Sequence, residues 1–115
     1  MEKTRGEVFV ADHVVAVFAG MAALEIEGLA LGNGGLYEDL SKRFGAGGKN
    51  LTKGILVSLG EDGAVIEMRV QVRYGARIHQ LCLELQDKVK ENVETFTGLI
   101  VREVNVRVEG IETAV

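Results

Sequence analysis

The chain has no proline and no tryptophan, and only one cysteine and two serines, among 115 residues. Each shortage excludes something. A lone thiol, Cys82, rules out an intramolecular disulfide and suits a reducing compartment. His79 and Cys82 stand three apart and could share a metal. The only further histidine is His13, so a closed zinc site of four ligands lacks its other half. A small thiol inside an apolar stripe reads instead as a core residue. Neither Ser41 nor Ser58 lies in a G-x-S-x-G elbow, which leaves no serine nucleophile system. Aromatics make up 5 % of the chain, so a core must come from Val, Leu, Ile, Ala and Met. Long hydrophobic runs are missing too. The most apolar window, Val14 to Leu24, is about half the ~20 residues of a spanning helix, and Glu25 and Glu27 close it. Met1 to Arg5 leads straight into a strand-like run without a signal-peptide core. The expectation is a cytoplasmic protein that does not insert into a membrane and could approach one only through a partner. Basic charge is short as well. A net charge of −4 argues against nucleic acid or an anionic lipid surface as the main partner.

What is present is the mix of a globular domain, 47 % hydrophobic and 26 % charged. One domain spanning 1–115 is expected. Its clearest piece is Ala64 to Tyr74, where Ala64, Ile66, Met68, Val70, Val72 and Tyr74 alternate with Glu67, Arg69, Gln71 and Arg73. Successive Cβ atoms of a strand point to opposite faces, so this period of two predicts a sheet with one face buried and one wet. Ile55, Val57 and Leu59 alternate before it, and Gly60-Glu61-Asp62-Gly63 is the hairpin turn between. Arg77 to Thr97 predicts a helix with Ile78, Leu81, Cys82, Leu85, Val89, Val93 and Phe96 on one stripe and Gly98 as its C-cap. Glu84 and Lys88 form an i,i+4 pair on its wet side. A last strand is expected over Ile100 to Glu109, with a tail at 111–115.

At the other end, Gly6 to Val10 reads as a first strand, and Asp12 as the N-cap of a helix from His13 to about Glu25. That helix is apolar almost all round, with small residues at Ala16, Ala19, Gly20 and Ala23, so it must be covered on more than one side. Packing within the chain and a subunit contact both satisfy this. Two glycine-rich stretches, Gly32 to Gly35 and Gly45 to Gly48, bracket Leu36 to Phe44. Here a short helix in a flexible connection over 32–53 is expected. The units are thus 6–31 (first strand and helix), 32–53 (connection) and 54–110 (hairpin, helix and returning strand). The order β-α-β-β-α-β predicts an α+β two-layer sandwich. A four-stranded mixed sheet would carry two long helices on one face, as in the split βαβ (ferredoxin-like) arrangement. The last strand could instead lie directly beside the third; the pattern does not separate the two.

Glycine-rich loops are the remaining chemical candidates. Gly45 to Asn50 departs from the P-loop at Arg43 and Asn50, and Gly32-Asn33-Gly34 lacks the third glycine of a dinucleotide fingerprint at Tyr37. The GxxG loop of KH domains is matched three times, once by the acidic turn Gly60–Gly63, which shows how unspecific it is. Lys42, Arg43, Lys49 and Lys53 beside the second match keep a KH-like nucleic-acid module as an alternative, and a small-ligand regulatory domain as another. Carboxylates sit on a solvated helix face or in a turn and do not converge, so no catalytic, cofactor or metal residue is assigned. The open sheet face is the best remaining surface. Arg69, Gln71 and Arg73 with Asn105 and Arg107 form a mixed-charge platform for a protein partner or a second copy.

Read in order, Gly6-Glu7-Val8-Phe9-Val10-Ala11, Val14-Val15-Ala16, Ala22 to Leu29, Lys53-Gly54-Ile55, Gly60 to Gly63, Val72-Arg73-Tyr74-Gly75, Val89 to Val93, Thr97-Gly98-Leu99 and Glu103 to Val106 resemble the alkaline shock proteins. These are small envelope stress response proteins, mainly of Gram-positive bacteria. The resemblance covers about Gly6 to Gly110. It implies a cytoplasmic, non-catalytic protein serving envelope homeostasis or stress through protein–protein contacts or self-association, and it brings no catalytic residues.

Overall fold

The computed structural model describes residues 4, 6–31 and 52–113. The short helix and most of the connection expected over 32–53 lie outside these residues.

Helix α1 (Asp12–Leu24) starts one residue earlier than expected. Ala11 holds the cap position, and its carbonyl accepts from the amides of Val14 and Val15. Asp12 is therefore not the cap but the first helical residue, where its carboxylate still opposes the positive end of the helix dipole. The small residues explain the packing. Val15, Ala16, Ala19, Gly20, Ala22 and Ala23 are all buried within the chain. After Ile26 the backbone turns into β1 (Leu29–Leu31).

Strands β2 (Ile55–Gly60) and β3 (Gly63–Arg73) form the expected hairpin, with Gly60 opposite Gly63. The inward residues of β3, Ala64, Ile66, Met68, Val70 and Val72, are buried without exception. Tyr74 does not join them. It lies beyond the strand, is 76 % exposed, and precedes Gly75 at φ 93°, where the chain leaves the sheet. Helix α2 (Ile78–Thr97) ends on Gly98 in the left-handed conformation that a C-cap glycine supplies. Strand β4 (Val101–Glu112) then runs further than expected, so that Ile111 and Glu112 belong to the sheet.

The strands occupy three lanes. β3 is central; β2 and β1 lie end to end along one edge, both antiparallel to it, and β4 lies parallel along the other. This is an α+β fold with a mixed sheet, but not the ferredoxin-like order. Gly6 to Val10 is not a strand, and Val8 and Phe9 stand 92 % and 88 % exposed. The place beside the C-terminal half of β3 goes to Leu29–Leu31, whose Leu29 is buried against the core. The order among the described residues is therefore α-β-β-β-α-β, and β3-α2-β4 is a parallel crossover unit.

Both helices cover the same side. Val15 and Ala19 of α1, Leu85, Val89 and Val93 of α2, and Ile66, Met68 and Val70 of β3 belong to one core cluster. Each of the large buried side chains contributes about 1.5–3 kcal/mol gross. Polar ties hold the helices together: Asn92 Nδ2 donates to the Phe18 carbonyl at 2.9 Å, and Lys88 Nζ reaches Glu25 at 3.2 Å rather than its i,i+4 neighbour Glu84. Two more tie α2 to β4. The Val101 amide donates to Glu94 Oε2 at 2.8 Å, and Gln86 Nε2 donates to the Val104 carbonyl at 3.0 Å.

Candidate interaction surface

The side of the sheet away from the helices carries the five residues singled out from the sequence, and the register brings them together. Arg69 lies opposite Arg107, Gln71 opposite Gly110, and Arg73 opposite Glu112, with Asn105 next to Arg107 across from Glu67. Two arginines side by side repel. They are balanced diagonally by Arg69–Glu109 at 3.7 Å and Arg107–Glu67 at 4.0 Å. Asn105 Nδ2 donates to Glu103 Oε1 at 3.3 Å. Gln71 lies half-buried over Gly110, where any added Cβ would touch its side chain. The five residues share one face, and of its arginines Arg69 and Arg107 are exposed and paired. Such pairs are worth about 0–1 kcal/mol each, so they add little to stability.

β4 carries a feature that alternation alone concealed. Its register slips twice against β3, at Ala64/Val65 and at Val70/Gln71, leaving Arg102 and Glu109 as extra residues. These two bulges bracket a regular run from Glu103 to Val108 on the edge of the sheet that no other described strand pairs. The inward valines of this run, Val104, Val106 and Val108, are only half-buried, whereas those of β3 are fully covered.

The helical layer has its own open surface. Val14, Phe18 and Met21 recur at helical spacing on α1, and the Phe18 ring stacks on Phe96 of α2 at 5.3 Å with the planes 7° apart. Phe96 remains 65 % exposed, and Val14 and Met21 about two-fifths. Sequence reading placed Phe96 in the buried stripe, but α2 outruns the core at that end.

Other candidates are weaker. Cys82 is half-buried, which pushes its thiol above the ordinary value, and His79 is exposed. Among the described residues no three His, Cys, Asp or Glu side chains gather as metal ligands. A cleft between the helices is lined by Glu25, Ile26, Glu84, Asp87, Lys88 and Glu91, a mostly acidic wall. Of the three GxxG matches, Gly60–Gly63 is the tight acidic turn of the hairpin, and the other two lie outside the described residues. Among the described residues no helix is long and apolar enough to cross a membrane.

Comparison with known proteins agrees with the resemblance of the sequence. Two uncharacterized proteins of Bacillus subtilis are similar: YqhY, 32 % identical over 93 % of this chain and 78 % of its own, and YloU, 33 % identical over 92 % and 88 %. A stress response regulator gls24 homolog of Streptococcus pyogenes is 27 % identical over 95 % of this chain, which spans 60 % of that protein. No solved structure matches significantly. The alkaline shock protein 23 family, described by a cell envelope-related function, matches residues 1–113, and the chain belongs to it.

Proposed function

We propose that this chain is a non-catalytic protein of the cytoplasm that serves envelope homeostasis under stress by binding a protein partner or further copies of itself. The observation that carries this reading is the apolar surface left on the helical layer, Val14, Phe18 and Met21 around the half-open Phe18–Phe96 stack. An exposed aromatic stack flanked by aliphatic side chains is costly in water and favours a protein contact. A relative named as a stress response regulator homolog supports the stress context. The net charge of −4 favours a protein over a nucleic acid as partner.

The test is a crosslinking pull-down from cells under envelope stress, paired with sedimentation of the purified chain at micromolar concentrations. A captured partner or a concentration-dependent oligomer supports the reading, and cell fractionation checks the compartment. A strict monomer that captures nothing sinks it.

A further inference from the structure

We propose that β4 is a self-pairing edge: two copies join antiparallel along Glu103 to Arg107, about a twofold axis at Asn105, making one continuous sheet. This deepens the self-association half of the function proposed above and rests on it.

Backbone geometry comes first. The Arg69 amide, at an odd position of β3, bonds across the β2 side to Gly54, whereas the Ala64 amide bonds across the β4 side to Ile100. Ile66, at an even position and opposite Val104, therefore bonds to the residues flanking Val104. Val104 and Val106 consequently turn their N–H and C=O groups away from β3, and Gln86 meets the Val104 carbonyl there. Between the two bulges this leaves a straight edge with outward donors and acceptors, the template that a second strand completes. The carbonyl has two lone pairs, so Gln86 occupies one and leaves the other.

Charge then selects the register. With Asn105 on the axis, Glu103 of each copy faces Arg107 of the other, twice by symmetry, and Val104 faces Val106 on the helix side. Each Val104–Val106 pair exchanges two backbone bonds in an antiparallel ladder. Sliding one pleat to centre on Val106 sets Glu103 against Glu109, and one further sets Arg107 against Arg107. Only the Asn105-centred register pairs opposite charges while keeping the regular run in the ladder. It also lays Val104 and Val106 of each copy beside the other's, covering valines that the monomer leaves half-open. The interface is isologous, as a twofold requires. Five residues of edge bury well below the ~1,600 Å² of a standard interface, so the dimer is reversible and concentration-dependent.

Sedimentation of the full chain and its charge variants tests this. Glu103→Arg alone or Arg107→Glu alone turns both symmetric attractions into repulsions, and each is expected to weaken the dimer about tenfold or more. The double variant restores the pairing and the dimer. In a Cys82→Ala background, Asn105→Cys places two thiols at the axis and is expected to form a disulfide-linked dimer under mild oxidation. Arg73→Cys, on the same face at the far end of β3, is expected not to. If the chain self-associates but the charge variants match the parent and Asn105→Cys stays uncrosslinked, the edge is wrong and association runs through another surface. If the chain is monomeric throughout, the edge and self-association fail together, and a captured partner alone would then sustain the scaffold reading.

Discussion

Two glycines with positive φ separate steric crowding from backbone freedom. Gly63 opens β3 at φ 129°, and a Cβ there would sit 2.6 Å from the Ile100 carbonyl oxygen. That oxygen is fixed, because it accepts the Ala64 amide at 2.7 Å. Gly98 caps α2 at φ 76° with open space around it. Gly98→Ala therefore costs only the left-handed penalty, about 1–2 kcal/mol, whereas Gly63→Ala adds a clash with backbone and is expected to cost more than that. Urea denaturation of both variants checks the ranking. Cys82 gives a pH prediction. Burial raises its thiol above the ordinary 9.0, so the folded state prefers the neutral form. For a raised acid the contribution is complete below the unfolded pKa and is lost as pH climbs through that value towards the folded one. Stability should fall more steeply above about pH 9 in the parent than in Cys82→Ala, as followed by denaturant midpoints. Gly98 was legible as a cap because a glycine after the last apolar repeat has one common use. The crowding at Gly63 was not, since it depends on Ile100, far away in the chain.

Elements were legible where a stripe could be satisfied by the chain's own neighbours. The β2–β3 hairpin and α2 were read nearly to the residue, because Asp-Gly between alternating runs and seven apolar positions at steps of three and four admit few other structures. Gly6 to Val10 misled because a short β-branched and aromatic run reads as a strand, whereas Leu29–Leu31 is what pairs with the C-terminal half of β3. The bulges of β4 were hidden for the reverse reason: Val104, Val106 and Val108 alternate cleanly while Arg102 and Glu109 slip the register on either side. At the α2–β4 junction, Glu94 accepts the Val101 amide at 2.8 Å and is approached by Lys90 at 3.8 Å. Hydrogen bonds to a charged group are worth about 1.5–3 kcal/mol when shielded, and Glu94 is one-third exposed. Glu94→Ala is expected to cost about 1–2 kcal/mol and to speed amide exchange at Val101, as hydrogen-exchange mass spectrometry would register. An unchanged Val101 amide would show that the junction holds without this contact.

At the scale of the whole molecule, the shared position of both helices on one flank leaves two surfaces of opposite character. The helical layer offers Val14, Phe18, Met21 and Phe96, and the β4 edge offers Glu103, Asn105 and Arg107. Raising ionic strength from about 0.1 to 1 M shortens the Debye length from ~10 to ~3 Å, which weakens exposed ion pairs and leaves apolar contact intact. Self-association through the edge should therefore lose affinity with added sodium chloride, while capture of a partner through the helices should not. Phe96→Ser separates them further. The ring is 65 % exposed, so its removal costs the stack with Phe18, about 0.5–1.5 kcal/mol, without opening the core. It should abolish partner capture in a pull-down and leave the sedimentation of the chain unchanged. If Phe96→Ser instead dissolves the oligomer and salt has no effect on it, the copies meet through their helices, and the sheet edge is left for another partner.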